Sequence, residues 1–121
     1  LNYHRFAYPA ARAAECAGEQ GRFEAYHDVL YEKQDSLGLL SFNALAKRAG
    51  VSDSARFGSC VTRSDSVANI TADVRFAQAN QLPGTPAILL DGKLSSKGPP
   101  SIDSIEAALK RSGARATASA R

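Results

Sequence analysis

Gly84-Thr85-Pro86-Ala87-Ile88-Leu89-Leu90-Asp91-Gly92-Lys93 is the stretch on which the fold turns. Residues 87–90 form a short apolar run that opens on a proline. It closes on Asp91-Gly92, a dipeptide that favours the two-residue turn of a β-hairpin. Residues 93–97 are then the return strand, more polar and so nearer a sheet edge. A proline at a strand entrance gives up no ladder hydrogen bond and is compatible with a cis peptide bond. In that geometry the backbone of Thr85 is presented to an extended peptide, in the manner of strand addition. The plainer reading, in which Pro86 only starts a strand, stands beside it.

Upstream of this stretch the apolar period is helical. Pro9 suits a first helical turn, and the alanine-rich residues 10–20 follow it with high helix propensity. Phe23, Tyr26, Leu30 and Tyr31 recur at the helical period, with Ala25 and Val29 widening the face. Ser41 is an N-cap for a helix burying Leu45, Ala46 and Ala49, and Gly50 ends it. Asp53 caps a helix with Phe57, Cys60 and Val61. Ser64 or Asp65 starts another, with Val67, Ile70, Val74 and Ala77 on its core face. Downstream, Gly98, Pro99 and Pro100 break the return strand, and Ser101 caps a final helix with Ile102, Ile105, Ala108 and Leu109. Gly113 is its expected end, and residues 114–121 read as a flexible tail. The fold class is therefore α/β, a helical block followed by a hairpin and a helix. A strand apolar on both faces needs neighbours beyond a single hairpin partner. Upstream only residues 1–8 offer one, so the sheet is expected to be incomplete or to be finished from elsewhere.

A chain of 121 residues with 44% hydrophobic content supports one domain with one core. The formal net charge is +3, but the basic residues are scattered and do not interleave with aromatics as in nucleic-acid grooves. No run is long and apolar enough for a membrane span, and no signal-peptide pattern opens the sequence. His4 and His27 share no metal-ligand spacing with the cysteines. No Ser/His/Asp order suggests a hydrolase, Gly84 belongs to no phosphate loop, and no cofactor is expected. Asn69-Ile70-Thr71 fits the glycosylation pattern but falls inside a predicted helix. Cys16 and Cys60 leave three readings open. They are two buried thiols packed as small hydrophobes, or a structural disulfide between two helices, or a catalytic pair. The last is weakened because neither lies at an evident helix N-terminus. A disulfide would close a loop of roughly 45 residues and stabilise by about 4 kcal/mol on the chain-entropy account.

The residues from Gly84 to Lys93 resemble the cis-proline loop and terminal hairpin of thioredoxin-fold proteins. The segment His4-Arg5-Phe6-Ala7, with Ala10-Ala11-Arg12-Ala13-Ala14-Glu15-Cys16-Ala17 and then Gly21-Arg22-Phe23-Glu24-Ala25-Tyr26-His27-Asp28-Val29-Leu30-Tyr31, is similar to the helical insertion of their DsbA-like branch. That branch comprises thiol–disulfide oxidoreductases, mostly bacterial and extracytoplasmic. The resemblance covers residues 4–112. It implies an incomplete thioredoxin-like fold over 1–113, with 10–81 as helical insertion and 82–113 as cis-proline loop, hairpin and terminal helix. It also implies that Thr85 and Pro86 contact substrate. Family members carry an early strand followed by Cys-x-x-Cys at a helix start, where the helix dipole lowers the first thiol's pKa. This sequence has no Cys-x-x-Cys, so no catalytic residue is assigned, and the chain reads as a truncated or degenerate member. The implied function is thiol–disulfide exchange on protein substrates in an intact parent domain, the chain itself being redox-inactive. Its partners would be protein or peptide thiols and disulfides, in the periplasm or another extracytoplasmic bacterial space. The alternative is a non-catalytic peptide-binding or protein-interaction domain, able to form a homodimer by sheet completion.

Overall fold

A computed structural model of the chain describes residues 4–63, 67–90, 92–95 and 100–119, with side chains of the last stretch given to Ser112. Two compact units emerge, Leu1–Val74 and Arg75–Arg121. The first is helical, built from α1 (Ala7–Gly18), α2 (Phe23–Glu32), a 3-10 turn (Gln34–Ser36), α3 (Phe42–Arg48), α4 (Ser54–Thr62) and the start of α5 (Ala68–Ala79). His4 to Phe6 lead into α1 as a turn, so the described part of residues 1–8 supplies no strand. Pro9 is the third residue of α1, where a backbone N–H would have no intrahelical acceptor. Ser41 Oγ accepts from Ala44 N at 3.2 Å and Asp53 Oδ1 from Arg56 N at 2.9 Å, capping α3 and α4. The predicted cap of α5 at Ser64 or Asp65 lies outside the described residues.

The core of this unit is made of small side chains around three large ones. Ala13, Ala14 and Ala17 line the inner face of α1 and let α2 and α4 pack closely on it, with α3 between α2 and α4. Tyr26, Leu45 and Phe57 are fully buried, and each such side chain contributes about 1.5–3 kcal/mol of transfer free energy. The Tyr26 and Phe57 rings lie 5.6 Å apart, and the Tyr26 hydroxyl donates to the Phe42 carbonyl at 3.1 Å, so burial leaves that hydroxyl satisfied.

Two predicted faces are corrected. Tyr26 turns fully inward, whereas Phe23 and Tyr31 remain 43% and 68% exposed. At 100° per residue, Tyr26, Val29 and Leu30 make one stripe, while Phe23 and Tyr31, eight residues apart, fall on a separate row. On α5 only Ile70 is buried, and Val74 is 48% exposed.

The second unit holds the hairpin and the last helix. β1 (Leu89–Leu90) pairs antiparallel with β2 (Lys93–Leu94), Leu89 opposite Leu94 and Leu90 opposite Lys93. Ser95 N donates to Ile88 O at 2.9 Å, one step beyond the ladder. The strands are shorter than the predicted 87–90 and 93–97; residues 91 and 96–99 lie outside the described set. Gly92 takes φ +72°, the left-handed geometry that such a turn requires. The final helix, α6, spans Ile102–Ser119, and Ser101 Oγ caps it by accepting from Ser104 N at 3.2 Å. Its predicted end at Gly113 is corrected: the helical backbone runs on through 114–119, residues expected as tail. One interior glycine costs only about 1 kcal/mol against alanine, and the flanking alanines and arginines have high propensity. The architecture is α/β, a helical block followed by a short hairpin and a helix.

Candidate functional site

Thr85 and Pro86 stand at the entrance of β1, both exposed, while residues 87–90 behind them are half-buried. The Thr85-Pro86 peptide bond is cis. Thr85 offers a hydroxyl and its backbone, and Pro86 offers a ring. Such a wall can orient a ligand, but it holds no group that exchanges electrons. A cleft of ≈ 540 Å³ lies in the same unit, lined among others by Leu90, Lys93, Leu94, Ser104, Ala108 and Arg111. Neither Thr85 nor Pro86 lines it.

The two cysteines are joined. Cys16 on α1 and Cys60 on α4 form a disulfide across 44 positions, with Cα atoms 5.8 Å apart. Both are buried, at 1% and 5% exposure, which shields the bond from an attacking thiolate. Polar groups brace the same junction. Glu19 Oε1 accepts from Arg63 Nη2 at 2.9 Å, and Arg56 Nη2 lies 3.8 Å from Glu19 Oε2. Cys60 Sγ sits 3.6 Å from Glu19 Oε1; a disulfide sulfur carries no proton, so this approach is packing and not a hydrogen bond. Gln20 spans to the start of α4 with two bonds, donating to Asp53 O and accepting from Asp53 N, each at 3.0 Å. Sequence reasoning missed Glu19, Gln20 and Arg63. Their partners are distant in sequence and no local pattern marks them.

Two titrating groups are displaced from their ordinary values. Burial pushes the Tyr26 phenol far above its usual 10.0. The Lys33 ammonium beside Glu32, at 2.5 Å, holds the Glu32 carboxyl below the usual carboxylate range. Among the described residues no group of three or more His, Cys, Asp or Glu side chains is placed to hold a metal ion.

Comparison with known proteins places this geometry. A family model described as thioredoxin matches residues 1–111. A protein of Salinispora tropica named Na(+)/H(+) antiporter NhaA 3 is 34% identical over 106 residues, which is 88% of this chain and 16% of that protein. Na(+)/H(+) antiporter NhaA 1 of Salinispora arenicola is 33% identical over 90 residues, 74% of this chain and 14% of that protein. The chain thus spans only about a sixth of the length of these curated relatives. No solved structure matches it significantly.

Proposed function

Because the chain belongs to the thioredoxin family, we propose that it forms the helical cap and substrate-contacting wall of a DsbA-like thiol–disulfide oxidoreductase domain. One observation carries this reading. The family match runs over residues 1–111, yet both cysteines of the sequence are consumed in one buried disulfide on helices. The exchanging dithiol is thus assigned to a parent polypeptide, and this chain is redox-inactive by itself. In the parent, the substrate would lie along Thr85 and Pro86 while its thiolate attacks the oxidised cysteine pair, or a thiolate of the reduced pair attacks its disulfide. Each attack releases one sulfur as thiolate, and a second thiolate resolves the mixed disulfide. The domain would span 1–113 in this scheme, with 10–81 as its helical insertion.

The names of the two relatives suggest a parent in which such a domain accompanies an ion antiporter. Among the described residues no helix is long and apolar enough to cross a membrane. A buried disulfide favours an oxidising, extracytoplasmic compartment.

The test is turnover. Incubated with a scrambled or reduced disulfide protein, this chain is expected to show none, whereas the parent polypeptide turns it over and loses substrate affinity on Thr85→Arg. Turnover by the chain alone at the rate of an intact dithiol enzyme would sink the reading. A second reading, a non-catalytic peptide-binding domain that dimerises by sheet completion, draws support from the hairpin, whose two strands pair, among the described residues, with each other alone and carry Leu94 at 41% exposure. Light scattering distinguishes it, because that reading requires a dimer.

A further inference from the structure

The outer face of α2 carries a row of aromatic rings that lies outside the core cluster, although Phe23 also packs beside Gly18. Phe23, His27 and Tyr31 follow one another at four-residue steps, with ring centroids 6.4 Å apart for the first pair and 4.7 Å for the second. All three are open to solvent, Phe23 at 43% and Tyr31 at 68% exposure, and the His27 side chain at 51%. One residue further round the helix runs a second row, Glu24, Asp28 and Glu32, each exposed. The Asp28 side chain is 82% exposed and, among the described residues, meets the His27 ring at 3.3 Å. Glu32 is held by Lys33 and feels the charge of Arg48, whereas among the described residues neither Glu24 nor Asp28 forms an ion pair with a lysine or arginine, Asp28 meeting His27.

Rings and carboxylates in adjacent rows suit one chemistry above others. A guanidinium is planar and weakly hydrated, so it stacks on an aromatic face while its N–H groups bond a neighbouring carboxylate. An ammonium supplies the charge but not the stacking face. Each four-residue step advances about 6 Å along a helix, and a second helix with arginines at the same interval repeats that step.

We infer that the outer face of α2 is a docking surface for a partner helix carrying arginines one turn apart, their guanidinium groups seated between the ring row and the carboxylate row. This surface is independent of the redox reading and would persist if that reading failed.

The test uses the whole chain and three alanine-based helical peptides of about 16 residues. One carries arginine at every fourth position, one carries lysine at the same positions, and one has the same arginines in a single block. Amide shifts in a labelled sample locate binding, and fluorescence anisotropy measures it. The spaced arginine peptide is expected to shift α2 resonances and to bind at least about fivefold more tightly than the blocked one. Phe23→Ser with Tyr31→Ser should cost about fivefold or more. Glu24→Gln with Asp28→Asn should weaken binding and flatten its salt dependence. Both pairs are surface changes, and circular dichroism checks that each still folds. Equal binding of spaced and blocked peptides, shifts that map away from α2, or indifference to both variant pairs would overturn the inference. So would association with phosphatidylcholine vesicles in the absence of peptide binding.

Discussion

Breaking the Cys16–Cys60 bond is the perturbation with the largest expected effect on the helical unit. The bond closes a loop of 44 positions, and the chain-entropy relation then assigns it about 4 kcal/mol at room temperature, exerted mainly on the unfolded ensemble. The native contribution is less one-sided. Replacing both cysteines by alanine removes two sulfurs from sites that are 1% and 5% exposed, adding about 1 kcal/mol or more of lost packing. Serine at either site would bury a hydroxyl, so the alanine pair is the cleaner variant. A domain of this size has a total stability of roughly 5–15 kcal/mol, so the unit should lose a third of that or more. The assay is urea unfolding followed by helical circular dichroism, comparing the oxidised chain, the chain in excess dithiol, and the alanine pair. The midpoint should fall in both perturbed samples. The slope should rise, because an uncrosslinked unfolded chain exposes more surface. A loss below about 1 kcal/mol in the alanine pair would refute the reasoning, and would mean that α1 and α4 are held by packing and the Glu19 and Gln20 bonds alone.

Two further perturbations probe the same unit. The folded-state pKa of Tyr26 lies above its ordinary 10.0, so its stabilising effect is complete below pH 10 and declines as pH rises past it; Tyr26→Phe should remove this alkaline decline while costing about 1 kcal/mol at neutral pH for the lost bond to the Phe42 carbonyl. Gly38 sits at φ +91°, and a Cβ there would overlap the Phe6 ring, so Gly38→Ala should destabilise by more than about 1 kcal/mol in thermal unfolding. An unchanged melting temperature would show that the Phe6 ring and the loop yield freely.

How much of this was legible in the sequence depends on whether the signal was local. The hairpin announced itself through Asp91-Gly92 between apolar neighbours, and the caps at Ser41, Asp53 and Ser101 each act on an amide only three residues away. Helix orientation was harder. Phe23, Tyr26, Leu30 and Tyr31 all fit a helical period, but they belong to two adjacent stripes, and only packing against α1 and α3 decides which turns inward. Gly113 misled because a breaker signal is a modest energy that good neighbours can outweigh. For the proposed site, Thr85 and Pro86 rest on resemblance and local chain grammar, and the structure adds their exposure at the entrance of β1. The Cys16 pairing stayed open because apolar neighbours suit a thiol and a disulfide equally. Glu19 and Gln20 left no trace, since their roles exist only once α1 and α4 are side by side.

The alanine face of α1 has a consequence for how this domain can diverge. Ala13 and Ala17 have no exposed surface at all, so even one added methylene there must push α2 or α4 away, at a typical cost of about 1–3 kcal/mol. Enlargement at these positions is tolerated only with a matching reduction on the facing helix. Single-step drift is therefore steered to the outward rows, among them the row of Phe23 and Tyr31, where new recognition surfaces can be tried while the helix spacing that holds the block together is left alone.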